Sequence, residues 1–139
     1  MKCSEVMKHD LPTVRFEDSL QSVALTMLQR SVSFVPVIDS EHRLVGAVTE
    51  RALVAHVVAA GRPSLDIKAG NVSHELPTVG PDEEHTAAEA KMSALQIPRA
   101  AVVDAFGHLL GVVTLTSLAE KVGSQEAGNL LKSLRRADV

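Results

Sequence analysis

The stretch HDLPTV, residues 9–14, returns almost unchanged as HELPTV, residues 74–79. The same 65-residue shift aligns the following residues without a gap, so the match is far longer than these six positions. Aligned pairs include Val37 with Val102, Asp39 with Asp104, Gly46 with Gly111, and Val48-Thr49 with Val113-Thr114. Because an internal repeat constrains the architecture before any local feature does, we predict two copies of one half-domain, over about residues 9–53 and 74–118.

The first copy has the pattern of a β-α-β-β-α unit. Thr13-Val14 is a short leading strand, and apolar residues then recur at helical spacing over residues 20–28. The run Phe34–Ile38 and the run Leu44–Val48 are typical of two buried strands joined by a turn. A second helix follows and stops at Gly61. Ahead of the first helix, Asp18 is predicted to be the capping residue.

The second copy repeats this pattern more weakly. Its first helix places Glu89 where the first copy has Ala24, on the apolar stripe. Gly107 supplies the turn of its hairpin. Together these patterns predict a first repeat at residues 1–61, a linker at 62–71, a second repeat at 72–122 and a C-terminal helix at 123–139.

Composition limits the functions that this chain can have. Of its 139 residues, 45% are hydrophobic and none is Trp or Tyr, which predicts an aliphatic globular core. A net charge of −3 leaves no basic stripe for nucleic acid, and the lack of aromatic residues disfavours stacking on single strands. A single cysteine, Cys3, fits a reducing cytoplasm. Neither a signal peptide nor an apolar run of about 20 residues is present, so we expect a cytoplasmic protein without a membrane span.

The duplicated β-α-β-β-α unit resembles the CBS domain family. The resemblance is carried by Pro36-Val37-Ile38-Asp39 before the hairpin turn and by the Gly46–Thr49 end of the second hairpin strand, and it covers about 110 residues. It implies an α/β (α+β) fold in which two pseudo-symmetric repeats pack through their sheets into one module. It also implies a homodimer, in which four repeats form a flat disc. A ferredoxin-like βαββαβ repeat is the alternative, but it needs a further strand after each second helix.

The resemblance further implies a regulatory ligand. Many CBS domains bind adenosine compounds such as AMP, ADP, ATP or S-adenosylmethionine in the clefts between repeats. Transferred residue by residue, the binding positions are Thr13, Val35, Pro36, Val37, Thr49, Thr78, Arg99, Ala100, Ala101, Thr114 and Ser117.

The family's roles differ among these positions. The resemblance implies that the hydroxyls of Thr49 and Thr114 contact ribose or phosphate and that Arg99 pairs with a phosphate. It also implies that the hairpin strands form the apolar walls around the adenine and that Thr13 and Thr78 present backbone groups to the base. A ribose-binding aspartate often stands three residues after each hairpin threonine, but this chain has Ala52 and Ser117 there. A hydrogen bond to a charged group contributes about 1.5–3 kcal/mol, so its loss weakens a matching site roughly ten- to a hundredfold.

Plainer interpretations remain open for the same residues. Thr49 and Thr114 stand where a hydroxyl caps a helix without any ligand, and Arg99 is compatible with a solvated surface position. His9 and His74 are equivalent across the repeat, but neither has a nearby Cys or a second His at metal-ligand spacing, so we predict no metal site. No residue pattern indicates catalysis. The sequence therefore predicts either a non-catalytic nucleotide sensor, with a regulated protein partner, or a ligand-free module acting through dimerisation.

Overall fold

The computed structural model describes residues 1–135. The helices are α1 Cys3–Val6, α2 Leu20–Arg30, α3 Glu50–Leu53, α4 Ala69–Val72, α5 His85–Leu95, α6 Leu115–Lys121 and α7 Ser124–Ser133. The strands are β1 Val14–Arg15, β2 Phe34–Ile38, β3 Leu44–Thr49, β4 Thr78–Val79, β5 Arg99–Val103 and β6 Leu109–Thr114. A π-helical segment, Val54–Ala59, continues α3, and a 3-10 turn spans Ser64–Asp66.

These strands form two three-stranded sheets of the same topology. In each sheet the leading strand is parallel to the first hairpin strand, which is antiparallel to the second, giving the orders β1-β2-β3 and β4-β5-β6. The predicted mixed α/β fold with two equivalent repeats is confirmed. Within residues 1–135 neither sheet gains the fourth strand that a ferredoxin-like unit requires.

The chain divides into two compact units that do not follow the repeat boundaries. The first unit is Pro12–Glu75, and the second unit combines Met1–Leu11 with the chain from Leu76 onward. In the second unit, Lys8 and Val112 exchange two backbone hydrogen bonds of 2.9 Å. In the first unit, His74 and Ala47 exchange bonds of 2.9 and 3.0 Å. The residues that precede each repeat therefore pair with the hairpin of the other repeat.

Two equivalent glycines allow these pairings. A Cβ atom at Gly46 would lie 2.4 Å from the carbonyl oxygen of His74. At Gly111 it would lie 2.6 Å from the carbonyl oxygen of Lys8 and equally close to the sulfur of Met7. Real Cβ atoms do not approach backbone this closely, so glycine is required at both positions.

Each unit has its own aliphatic core. The first unit buries Val14, Leu20, Val23, Met27, Val35, Val37, Val48, Ile67 and Ala69. The second unit buries Cys3, Val6, Val79, Ala88, Met92, Ala100, Val102, Val113, Leu118, Ala127 and Leu130. Ala69 lies within the segment predicted to be a linker, residues 62–71, yet it is a core residue. Burial raises the pKa of the Cys3 thiol, which lies inside the second unit.

Two local details differ from the sequence-based expectation. Ser19, not Asp18, caps α2, because the Ser19 hydroxyl accepts from the backbone N–H of Ser22 at 3.2 Å. Asp18 instead accepts from the backbone N–H of Arg15. Of the C-terminal helix predicted at 123–139, residues 136–139 lie outside the described residues. No helix among the described residues combines the length and apolarity needed to cross a membrane.

Candidate functional site

The best-formed group of candidate residues lies at one end of the second hairpin. Arg99 opens β5 and Thr114 closes β6, and the two residues are cross-strand partners. Thr78 in the leading strand pairs with Ala101 in β5. The sheet therefore places Thr78, Arg99 and Thr114 on three adjacent strands, although 36 residues separate the first from the last along the chain.

Thr114 and Ser117 form a closed capping box at the start of α6. The Thr114 hydroxyl accepts from the Ser117 backbone N–H at 3.0 Å. The Ser117 hydroxyl accepts from the Thr114 N–H at 2.9 Å and donates to the Thr114 carbonyl at 3.0 Å. Ser117 is only 1% exposed. A hydroxyl has a single hydrogen to donate, so Ser117 has already used the hydrogen that a ribose oxygen would need.

Thr114 keeps more capacity for a ligand than Ser117. Its oxygen accepts one bond from the helix, and within residues 1–135 no group accepts its hydroxyl hydrogen. The residue is half-buried, whereas Ser117 is buried. Capping and ligand contact are therefore compatible at Thr114.

The first unit presents a poorer group at the equivalent place. Phe34, which is buried, is the cross-strand partner of Thr49 and stands where the second unit has Arg99. Thr49 caps α3, its hydroxyl accepting from the Ala52 backbone N–H at 3.3 Å. The side chain of Ala52 offers no polar atom, so the two positions equivalent to Arg99 and Ser117 supply neither a cation nor a hydroxyl in the first unit.

The predicted apolar wall of each hairpin is divided between two faces of its sheet. Val35 and Val37 belong to the core of the first unit, and Ala100 belongs to the core of the second. Pro36 and Ala101, equally buried, are not members of those cores. Because successive strand residues point to opposite faces, Pro36 and Ala101 alone among these five lie on the other face.

The leading threonines differ between the units. Thr78 is exposed, and its carbonyl accepts a 2.6 Å hydrogen bond from the ammonium group of Lys91. Thr13 is half-buried and immediately precedes β1. Lys91 adds a second cation on the second unit that the sequence analysis did not single out, because its closeness to Thr78 depends on how α5 packs on β4.

A separate polar cluster lies on α5 and α7 of the second unit. His85, Glu89 and Glu126 place one ligand atom each within 4.8 Å of one another. Burial, followed by the hydrogen bond and the charge of Glu126, raises the pKa of Glu89 to about 7. Glu89 was noticed in the sequence only as an acid on an apolar stripe, and nothing in the sequence connected it with Glu126.

The duplicated sheets and the capped hairpin ends define a tandem α/β repeat module. The chain belongs to the CBS domain family, whose model matches residues 3–59 and again residues 66–124. The family resemblance read from the sequence is thereby confirmed.

Curated relatives include both small and large proteins. The chain is 30% identical to the uncharacterised protein YlbB and 27% identical to the CBS domain-containing protein YhcV, both of Bacillus subtilis. These alignments cover 99% and 97% of this chain, and 93% and 96% of the relatives. It is also 28% identical to a homoserine O-acetyltransferase of Methanosphaerula palustris, but spans only 24% of that protein's length. The part shared with this enzyme is thus a minor portion of it.

Solved structures of CBS domain proteins have the same fold. A protein of unknown function from Thermoplasma acidophilum superposes with a TM-score of 0.82 at 24% identity, covering 99% of this chain and 78% of that one. The CBS domain of a bacterial CNNM/CorC family Mg²⁺ transporter, solved in complex with ATP, gives 0.77 at 19% identity over 88% and 87%. A hexameric CBS-CP12 protein from bloom-forming cyanobacteria gives 0.75 at 19% identity over 91% and 73%.

Proposed function

We propose that this chain is a non-catalytic regulatory module that binds an adenosine-type nucleotide, or a related ligand, at the hairpin end of its second unit. The observation that carries the proposal is the cross-strand pairing of Arg99 with Thr114. This pairing brings a guanidinium group, which suits bidentate contact with phosphate, beside a hydroxyl that can still donate. The ATP complex of the structurally similar transporter domain supports nucleotide as the ligand class.

The second unit is favoured over the first because of charge. Lys91 and Arg99 lie on the second unit, on α5 and β5 respectively, while Phe34 replaces the arginine in the first. Neither unit has the ribose-binding aspartate, and Ser117 already donates its hydroxyl hydrogen within the capping box. We therefore expect recognition to depend on phosphate more than on ribose, with affinity roughly ten- to a hundredfold below that of a site with the carboxylate.

Regulation requires more than binding. A ligand shifts a conformational equilibrium only when it binds the two conformations unequally. In this proposal the protein partner would distinguish the ligand-bound form, and the chain itself would carry out no reaction.

Thermal unfolding with nucleotides tests this proposal. A ligand that binds the native state raises the Tm as its concentration increases, so we expect ATP or ADP to raise it more than adenosine does. Arg99→Ala should remove the difference between phosphate-bearing ligands and adenosine, while Arg62→Ala, which removes an exposed arginine of the first unit, should retain it. The sensor proposal would be overturned by a Tm that stays constant up to millimolar AMP, ADP, ATP, S-adenosylmethionine and NAD.

The second candidate is a ligand-free structural module. It is favoured by the closed capping box of Thr114 and Ser117, which is complete without a ligand. In that case no compound of the panel changes the Tm, and the function lies in association with protein partners.

We also propose that the chain forms a homodimer through apolar side chains of the first unit. Leu28 and Val58 are 79% and 75% exposed, and Leu25, Val54 and Leu65 are also exposed. Burying one such side chain contributes about 1.5–3 kcal/mol. The oligomeric neighbour shows that a similar fold is compatible with self-association.

Light scattering tests the homodimer. We expect a dimer at micromolar concentration, and Leu28→Asp or Val58→Asp should raise the dimer dissociation constant by at least about tenfold. Phe106→Ser is the matched control, because Phe106 is 76% exposed in the second unit and should leave the dimer unchanged. A monomeric parent protein would contradict the proposal, as would equal loss of the dimer in all three variants.

A further inference from the structure

Three side chains of the second unit converge at the start of two helices. His85 begins α5, and Glu89 lies one turn later on the same face, since residues four apart are neighbours on a helix. Glu126 lies in the first turn of α7. Each residue contributes one ligand atom, and these three atoms all lie within 4.8 Å of one another. His85 Nε2 is 3.1 Å from Glu126 Oε1.

One oxygen of this cluster lacks a partner. Glu89 Oε1 is shielded from solvent, and no N–H or O–H group of the described residues donates to it. A hydrogen bond with Glu126 forms only when one of the two carboxyl groups is protonated. Buried polar atoms are nearly always paired, so an orphaned one requires an explanation such as an absent ion. Glu89 and Glu126 also bring two carboxyl groups together, an arrangement that a cation stabilises.

The imidazole of His85 is held in an orientation suited to metal binding. Its Nδ1 lies 3.0 Å from the carbonyl oxygen of Met1 and 3.1 Å from the Met1 amino nitrogen. In one tautomer Nδ1–H donates to the carbonyl, and the lone pair on Nε2 faces Glu126, as metal binding requires. In the other tautomer Nδ1 accepts from the Met1 ammonium, and Nε2–H donates to Glu126. Metal-binding histidines are typically fixed in this way, with the second ring nitrogen bonded to a carbonyl or carboxylate.

We propose that His85, Glu89 and Glu126 bind one divalent transition-metal ion, such as Zn²⁺. One imidazole and two carboxylates are ligands that Zn²⁺ accepts at about 2.0–2.2 Å. Tetrahedral ligands at that distance lie about 3.3 Å apart, so a small inward movement of the side chains completes the site. Three protein ligands leave a further coordination position for water or another small ligand.

The imidazole distinguishes this site from one for Mg²⁺ or Ca²⁺. Those ions prefer oxygen ligands throughout, whereas imidazole suits Zn²⁺ and its neighbours in the transition series. The competing interpretation needs no metal: the two carboxyl groups share a proton, and His85 Nε2 contacts whichever oxygen remains charged.

Zinc titration of the full chain after treatment with EDTA distinguishes the two interpretations. We expect one zinc per chain by equilibrium dialysis with elemental analysis. At a hundredfold excess of zinc over Kd, the Tm should rise by about 5 °C or more. Millimolar Mg²⁺ should not reproduce the rise.

Isosteric variants locate the ion. Glu89→Gln and Glu126→Gln keep the side-chain shape, and each should raise the zinc dissociation constant at least about a hundredfold, since losing an outer partner alone costs ten- to a hundredfold. His108→Asn is the matched control, because His108 Nδ1 lies 2.9 Å from Asp104 in another histidine–carboxylate ion pair of the second unit. Zinc binding that is absent from the parent protein, or that survives Glu89→Gln but is lost in His108→Asn, would overturn the proposal.

Discussion

Gly46→Ala is expected to lower the free energy of unfolding by roughly 2–4 kcal/mol. The new methyl group would lie 2.4 Å from the carbonyl oxygen of His74, which itself accepts the Ala47 N–H at 2.9 Å. Overpacking of this kind costs about 1–3 kcal/mol, and each weakened backbone hydrogen bond adds about 0.5–1.5 kcal/mol. The contact is with backbone rather than with a mobile side chain, so the steric overlap can be removed only by moving the backbone of His74 or Gly46.

Urea unfolding of three glycine variants measures this effect. Gly111→Ala should resemble Gly46→Ala, since its Cβ would meet the Lys8 carbonyl at 2.6 Å. Gly128→Ala is the control: it lies in α7 with no atom within 4 Å of the new methyl. Alanine there should stabilise the helix by up to about 1 kcal/mol. Equal effects in the three variants would show that steric contact does not explain the two hairpin glycines.

Removal of residues 1–11 is expected to abolish the cooperative unfolding of the second unit. This segment buries Cys3 and Val6 in that unit's core and provides Lys8 as the backbone partner of Val112. Removing Val6 and Cys3 leaves a core cavity, and the loss of one large core side chain alone typically costs about 2–5 kcal/mol. That figure is comparable with the total stability of many domains, about 5–15 kcal/mol.

Hydrogen exchange separates the two units in this experiment. Amides of β5 and β6 should lose protection, while those of β2 and β3, in the first unit, should retain most of it. A synthetic peptide of residues 1–11 should restore protection when added in trans, and the same peptide with Val6→Asp should not. Unchanged protection in the truncated protein would show that α1 is dispensable.

The sequence predicted the strands whose pattern is contained within a few consecutive residues. The runs Phe34–Ile38 and Leu44–Thr49 are apolar and β-branched, and the structure confirms both strands. The cap of α2 was displaced by one residue, because Ser19 and Asp18 are both good capping residues and only the backbone geometry decides between them. The pairing of Lys8 with Val112 had no signal, since a single backbone bridge over 104 residues leaves no periodic pattern.

In the candidate site, too, the sequence identified individual residues but not the contacts that depend on folding. The sequence named Thr114 and Ser117 and left open whether they cap a helix, and the structure shows that they do. It could not show that Ser117 uses its hydrogen within the cap, because that depends on side-chain rotation. Glu89 was visible as an acid on an apolar face, but Glu126 approaches it only through the packing of α7.

The pairing of each hairpin with the residues ahead of the other repeat has a consequence for how such a protein can arise. A chain with one repeat would carry a leading segment whose partner hairpin belongs to a second molecule, so its assembly would depend on protein concentration. Joining two repeats in one polypeptide makes the same exchange intramolecular, with an effective concentration set by the connecting chain. Duplication thus converts a reciprocal exchange between molecules into a folding step that dilution does not weaken.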